Sequence, residues 1–112
     1  MDRILELKNR VSTFVNEREW KKFHNPKDIA ISISIESAEL LENFQWRNNE
    51  EVDAMLKNAE YFNNIKEEMA DVLIYLIILS NKLEIDLIEI AFKKLRKNEK
   101  KYPADKFKGK AH

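Results

Sequence analysis

The chain has 112 residues, carries 20 basic and 20 acidic side chains, and contains no cysteine. Its length fits one domain with a substantial core, and its zero formal charge gives no reason to expect nucleic acid or an anionic membrane as a partner. The absence of cysteine excludes disulfides and thiolate metal sites, so we expect a cytoplasmic protein. No membrane span is expected, because the longest apolar run, Val72 to Leu79, is far shorter than the roughly 18 residues that a span requires.

The N-terminal part of the chain predicts two helices. Apolar residues recur at helical spacing from Asp2 to about Arg18, which indicates one amphipathic helix. A second helix is predicted from Pro26 to about Phe44. Asn25 is a favoured N-cap for this helix, and proline is favoured at the first helical position.

The start of the second helix also carries a contrary signal. Ile29, Ile31, Ile33 and Ile35 alternate with alanine and serine, a pattern typical of a strand. No second strand is predicted with which this segment could pair, and an isolated strand leaves its backbone hydrogen bonds unmade. We therefore interpret the segment as a mostly buried helix.

The remaining sequence predicts further helices. The polar stretch after the second helix predicts a short helix and a connection, and a long helix follows from about Tyr61 to Leu83. The last helix begins near Asp86 and ends before Pro103, because a residue that precedes proline avoids helical geometry.

The long helix is apolar nearly all round between Val72 and Leu79, which indicates a central position or burial by another subunit. We predict an all-α bundle of four to five helices, which another subunit would complete if the run is not central. The predicted domain covers residues 1–103, and an irregular, basic tail covers residues 104–112.

Two pairs of acidic residues are spaced three apart on predicted helices. Glu36 and Glu39 lie on the second helix, and Glu68 and Asp71 lie on the long helix. Side chains at positions i and i+3 are neighbours on a helix, so each pair can offer two carboxylates to one ligand. Oxygen-only ligands select hard cations, so the pattern favours Mg²⁺ or Mn²⁺.

The alternative is that these acids are ordinary solvated helix faces, which are common. Apolar neighbours such as Ala38 and Val72 favour a site, because a carboxylate that borders apolar surface needs a cation or a hydrogen-bond partner. Iron is disfavoured, since neither His24 nor His112 has the Glu-x-x-His spacing of a di-iron bundle.

Cationic and aromatic side chains can likewise be either parts of a binding site or ordinary surface and core residues. Trp20, Phe23 and Trp46 lie near polar loops, where they could pack in the core or stack against a base. The cations of the last helix could meet phosphates or form a charged surface, and they are Lys93, Lys94, Arg96, Lys97, Lys100 and Lys101.

Several short blocks, in their order along the chain, resemble a known family. Glu36-x-x-Glu39 followed by Glu68-x-x-Asp71 is similar to the ExxE…ExxD signature of the MazG-like all-α nucleoside triphosphate pyrophosphohydrolases. The sequence resembles the dCTP pyrophosphatase branch more narrowly. That resemblance runs from about Val11 to Pro103 and is carried by REWKKFHNP, ENFQW, EEMADVLIYL and KNEKKYP.

The resemblance implies hydrolysis of a (d)NTP, such as dCTP or a modified pyrimidine nucleotide, to the monophosphate and pyrophosphate. It implies a requirement for Mg²⁺, with Mn²⁺ as an alternative, and a homo-oligomer with shared sites, a tetramer more than a dimer. The positions that match metal ligands are Glu36, Glu39, Glu68 and Asp71. The positions that match substrate contacts are Tyr75, Asn98, Lys101 and Tyr102 for phosphates or sugar, and Trp20 and Trp46 for the base.

The chemistry of such a reaction suits these residues. Attack of water on the α-phosphorus requires neutralised phosphate charge and an acidified water, both of which Mg²⁺ can supply. A carboxylate that is not fully engaged by metal can accept the proton, and we assign that role to Glu39.

Two departures and two competing hypotheses remain. The chain has Arg-Glu-Trp where the branch often has Arg-Asp-Trp, and Val11 stands where animal members carry a histidine near the base, a departure that bears on cytosine preference.

One competing hypothesis is a non-catalytic helical adaptor or regulatory oligomer. The other is a phosphohydrolase that attacks a different phosphate of a nucleotide.

Overall fold

The computed structural model describes residues 2–110, and this range is helical without any strand. The predicted all-α class is therefore confirmed. Two short helices bring the number of α-helices to six, and a 3₁₀ turn at Trp20–Phe23 joins the first two. The α-helices are α1 (Arg3–Glu17), α2 (Pro26–Glu42), α3 (Asn49–Met55), α4 (Ala59–Lys82), α5 (Leu87–Lys101) and α6 (Ala104–Phe107).

Side-chain caps begin the main helices. The Asn25 side chain accepts a hydrogen bond from the backbone N–H of Asp28 at 2.9 Å, and Pro26 opens α2 as predicted. The long helix α4 begins at Ala59, two residues before its predicted start, because Asn58 caps it by accepting from the Tyr61 backbone at 3.1 Å.

The isoleucine alternation lies on a helix, and its strand-like pattern has a physical explanation. Ile29 is the most buried of these residues, at 2% exposure, and Ile33 packs against the core. Ile31 and Ile35 are 47% and 52% exposed on another face of the same helix. The expectation of a mostly buried helix is therefore wrong for the isolated chain, in which α2 has apolar residues on two faces.

The core lies between α1, α2 and α4. Val11 and Val15 of α1 contact Ile29 of α2 and the buried pair Ile77 and Ile78 of α4. The second half of the apolar run in α4 thus occupies the central position that its composition predicts, whereas Leu73, in its first half, is 44% exposed. None of the helices in the described range has both the length and the apolar character that crossing a bilayer requires.

The last long helix, α5, does not pack along α1, α2 or α4. The radius of gyration is 17.5 Å, whereas a compact domain of about 100 residues has roughly 13 Å. The chain therefore extends α5 away from its three-helix core. Its residues Ile88, Phe92 and Leu95 recur along one side, and each is more than two-fifths exposed.

The prediction of an irregular tail is wrong at the start of that segment. Ala104–Phe107 forms the single turn of α6, which begins after Pro103 at a φ of −57°. The Phe107 ring packs edge-on against Tyr102 with 5.2 Å between ring centroids. Residues 111–112 of the predicted tail lie outside the described range, and the domain boundary near residue 103 stays a prediction.

Candidate metal centre and adjoining cleft

Three carboxylates meet where α2 packs along α4. Glu36 and Glu39 lie one turn apart on α2, and Glu68 faces them from α4. One carboxylate oxygen from each residue lies within 4.8 Å of the other two. The spacing that suggested two carboxylate pairs in the sequence thus brings three of the four acids into one cluster.

The cluster is electrostatically unfavourable when all its members are ionised. Burial raises the pKa of Glu36 above its usual value of 4.5, and repulsion from Glu39, Asp71 and Glu68 raises it further. Burial likewise raises the pKa of Glu68, with repulsion from Glu39 as the next cause. A positive charge at this point would relieve both effects.

The residues present fit a divalent cation. Oε2 of Glu36 is buried and has no hydrogen-bond partner, so an acceptor oxygen there lacks a compensating donor or cation. The three potential ligands supply oxygen atoms alone, which suits Mg²⁺ or Mn²⁺ and not a softer metal. The arrangement is thus chemically competent to hold the kind of cation that the sequence predicted.

Asp71, the fourth predicted ligand, has a different place. It is not one of the three residues whose oxygens converge within 4.8 Å. Its negative charge nevertheless contributes to the raised pKa values of both Glu36 and Glu68. Asp71 also lines a cleft, and because its charge acts on Glu36 and Glu68, that cleft adjoins the carboxylates.

The cleft has a volume of about 590 Å³ and lies between α1, the 3₁₀ turn and α4. Trp20 and Tyr75, both predicted substrate contacts, line it together with Asp71. The Trp20 ring packs edge-on against Phe14 with 5.6 Å between ring centroids. An aromatic and aliphatic wall that ends at a carboxylate can hold a flat apolar ring with its polar substituents towards a metal.

Two further residues line the cleft to which sequence reasoning assigned no role. Arg10 brings a cation to the same cleft as Asp71. His24 forms part of the wall, and its Nδ1 is buried without a hydrogen-bond partner. The available signal for Arg10 was its position one turn from Leu7 and Phe14, which places it on the side of α1 that lines the cleft.

The remaining predicted substrate contacts line neither the cluster nor the cleft. Trp46 follows α2 and is 86% exposed. Asn98 and Lys101 lie on α5 and Tyr102 caps its C-terminal end, on the helix that extends from the core. A single chain therefore assembles the carboxylates, Trp20 and Tyr75, but not the basic end of α5.

Comparisons with known proteins identify the family and the fold of the chain. The family model described as the MazG-like family matches residues 31–112. A pyrophosphatase from Archaeoglobus fulgidus, known from its crystal structure, superimposes with a TM-score of 0.84 at 45% identity and covers 92% of this chain and 94% of its own.

Curated relatives are similar in sequence over most of this chain. dCTP pyrophosphatase 1 of Bos taurus is 33% identical over 98 residues, which are 88% of this chain and 58% of the bovine protein. The human protein of the same name is 34% identical over 81% of this chain and 54% of its own length. The chain thus spans little more than half the length of these relatives. By its sequence and by its fold, the chain belongs to the MazG-like family.

Proposed function

We propose that this protein is a metal-dependent nucleoside triphosphate pyrophosphohydrolase of the cytoplasm, acting on dCTP or a modified pyrimidine nucleotide. The observation that carries the proposal is the cluster of Glu36, Glu39 and Glu68 beside an aromatic-lined cleft. The dCTP pyrophosphatase names of the mammalian relatives and the pyrophosphatase name of the archaeal one support it.

The carboxylates would hold one or two Mg²⁺ ions, with Mn²⁺ as a substitute, through Glu36, Glu39, Glu68 and Asp71. When bound, the metal neutralises phosphate charge and lowers the pKa of water. The buried, unpaired Oε2 of Glu36 supplies one such ligand atom. Without a cation, burial and repulsion from neighbouring acids raise the pKa values of Glu36 and Glu68.

The reaction needs one proton acceptor on the protein. In the proposed step, water attacks the α-phosphorus, its oxygen bonds to phosphorus, and the bond from the α-phosphorus to the bridging oxygen breaks. Pyrophosphate leaves, and the proton of the attacking water passes to a carboxylate. We assign this proton to Glu39, because its charge is the largest influence after burial on the pKa of both Glu36 and Glu68, so it adjoins both acids and would be only partly engaged by a metal.

The nucleoside would occupy the cleft. Trp20 offers an aromatic face for stacking, and Tyr75, one turn after Asp71 in the same cleft, would contact the sugar and phosphates. Val11, which also lines the cleft, makes that part of its wall apolar. A pyrimidine whose ring carries an added apolar group would fit such a wall better than unmodified cytosine.

A second copy of the chain would complete the fold and the site. Apolar residues remain exposed on three helices: Ile31 and Ile35 on α2, Met69 and Leu73 on α4, and Ile88, Phe92 and Leu95 on α5. Exposed apolar surface of this extent is typical of an interface. We propose a homo-oligomer, a tetramer more than a dimer, in which α5 brings Asn98, Lys101 and Tyr102 to a neighbouring site.

This assembly predicts a specific response to substitution on α5. Phe92→Asp places a charge within the exposed apolar side of α5 and is expected to shift the protein towards monomers in sedimentation velocity. Lys94→Asp, which also adds an aspartate to α5, is expected to leave the assembly intact. If Phe92→Asp sedimented as the parent does, α5 would not form the interface.

The function itself is tested by incubating the protein with a panel of NTPs and dNTPs, with and without Mg²⁺. Pyrophosphate and orthophosphate are assayed separately. We expect pyrophosphate and the monophosphate, formed only with metal, from a pyrimidine deoxynucleotide. Release of orthophosphate would indicate attack at another phosphate. No product from any nucleotide, together with no thermal stabilisation by Mg²⁺, would favour the adaptor hypothesis.

A further inference from the structure

A buried amide links the two helices that carry the carboxylates. Asn43, at the C-terminal end of α2, is 9% exposed. Its Nδ2 donates to the backbone carbonyls of Glu39 and Leu40 at 3.3 and 3.2 Å. Its Oδ1 accepts a hydrogen bond from Nδ2 of Asn64, on α4, at 2.8 Å. Because Nδ2 is engaged by its own helix, Oδ1 is the atom that reaches across to α4.

The backbone at the same residue makes further contacts. The carbonyl oxygen of Asn43 accepts from the Tyr61 hydroxyl of α4 and, at 2.9 Å, from the Arg47 guanidinium. The Arg47 guanidinium also lies over the Tyr61 ring, 5.5 Å from its centroid. The end of α2 is therefore held to the first turns of α4 by side chains from both sides.

The amide pair lies one turn from the carboxylates on both helices. Asn43 follows Glu39 by four residues, and Asn64 precedes Glu68 by four. Residues four apart share a helix face, so the two amides and the Glu39 and Glu68 carboxylates occupy successive levels of one α2–α4 interface. Any slide of one helix along the other would displace the amides and the acids together.

The carboxylates themselves oppose this alignment. Glu36, Glu39 and Glu68 carry charge of the same sign when ionised, and one oxygen of each lies within 4.8 Å of the other two, so their repulsion favours separation of the helices at this level. Apolar packing permits small shifts between helices, whereas an N–H···O hydrogen bond weakens within a few tenths of an ångström. A directional contact next to the acids can therefore maintain the alignment that their repulsion opposes.

We propose that the Asn43–Asn64 hydrogen bond is a positioning contact for the metal ligands. It holds α2 and α4 in the register at which Glu36, Glu39 and Glu68 can share one divalent cation. This inference rests on the proposed function for the cation itself. Neither Asn43 nor Asn64 belongs to the carboxylate cluster, so in this proposal both act through the helices that carry the ligands.

The test measures binding of Mn²⁺ to the nucleotide-free protein by electron paramagnetic resonance of the free ion. Asn64→Ala leaves the buried Oδ1 of Asn43 without its donor and is expected to weaken Mn²⁺ binding about tenfold, as loss of groups that orient metal ligands does. Hydrolysis at saturating Mn²⁺ is expected to return to the parent rate. Asn63→Ala is the matched control, because Asn63 is exposed and bonds Glu67 of its own helix at 3.3 Å.

A second variant separates positioning from stability. In Asn43→Leu/Asn64→Leu both partners of the interhelix hydrogen bond are replaced by apolar groups of similar size, so neither amide of that bond is left unsatisfied. The Glu39 and Leu40 carbonyls also lose the Asn43 Nδ2 donor, within α2 itself. We expect this variant to melt near the parent temperature and still bind Mn²⁺ more weakly. If Asn64→Ala does not fold, the Mn²⁺ affinity of this double variant tests the positioning role instead.

Parent-like Mn²⁺ affinity in Asn64→Ala or in the double variant would overturn the positioning role. A parent protein that binds no Mn²⁺ would instead overturn the proposed function, so the two failures are distinguishable.

Discussion

Glu68→Gln is expected to reduce hydrolysis of the preferred nucleotide by more than about a hundredfold. The substitution keeps the size of the side chain but removes the one charged oxygen pair that α4 contributes to the three-residue cluster. Loss of even an outer group that supports a metal ligand lowers metal affinity or activity roughly 10- to 100-fold, so loss of a ligand should lower activity by more than that. The measurement is the initial rate of pyrophosphate release at several Mg²⁺ concentrations.

Glu67→Gln supplies the control for this experiment. Glu67 precedes Glu68 on α4, is exposed, and accepts a hydrogen bond from Asn63 at 3.3 Å, away from the cluster. It is expected to retain the parent rate and the parent melting temperature. A folded Glu68→Gln protein that hydrolyses as fast as Glu67→Gln would remove the cluster from the mechanism.

The metal-free protein is expected to lose stability as the pH rises and to regain it with Mg²⁺. The pKa values of Glu36 and Glu68 are raised in the folded state, so the folded protein binds more protons than the unfolded chain above the usual value of 4.5. This contribution to stability is present below 4.5 and is lost as the pH rises through the folded-state values. Glu36→Gln, which cannot ionise, should therefore melt higher than the parent at neutral pH without metal.

With Mg²⁺, the parent should melt at a higher temperature than Glu36→Gln. At about a hundredfold above its dissociation constant, a ligand of the folded state adds about 2.7 kcal/mol, which corresponds to a rise of roughly 10 °C for a domain of about 100 residues. Thermal melts at several pH values, with Mg²⁺ or with a chelator, measure both effects. Equal melting temperatures of parent and Glu36→Gln under all these conditions would mean that the cluster is neither repulsive nor a metal site.

Local signals in the sequence explain why much of the fold was predictable. The N-cap at Asn25 and the proline after it act within a few residues, so the start of α2 follows from its immediate neighbours. The spacing of Glu36 and Glu39 fixes their common side once the segment is helical. The facing of Glu68 towards them follows from the packing of α2 along α4, which buries Ile29 of α2 with Ile77 and Ile78 of α4.

Contacts between distant residues were not predictable in the same way. Asn43 and Asn64 are 21 positions apart, and neither belongs to a recognisable spacing pattern. Arg10 and His24 meet in one cleft only because α1 and the 3₁₀ turn pack beside α4. The single turn of α6 is accompanied by a ring contact between Tyr102 and Phe107, which composition alone does not indicate.

The apolar side of α5 could not be placed from the sequence of one chain alone. Its apolar residues Ile88, Phe92 and Leu95 have the spacing of a buried side, yet they remain exposed in the isolated chain. The sequence pattern thus predicts burial correctly only if another copy supplies the covering surface. The same requirement applies to Lys101 and Tyr102, whose predicted substrate contacts depend on where α5 docks.

The most direct test of the central claim is hydrolysis of the preferred nucleotide in water enriched in heavy oxygen (¹⁸O), with mass analysis of both products. Attack at the α-phosphorus, with the proton passing to a carboxylate of the cluster, predicts label in the nucleoside monophosphate and none in pyrophosphate. Label in pyrophosphate or orthophosphate would place the attack at another phosphorus and contradict the proposed mechanism.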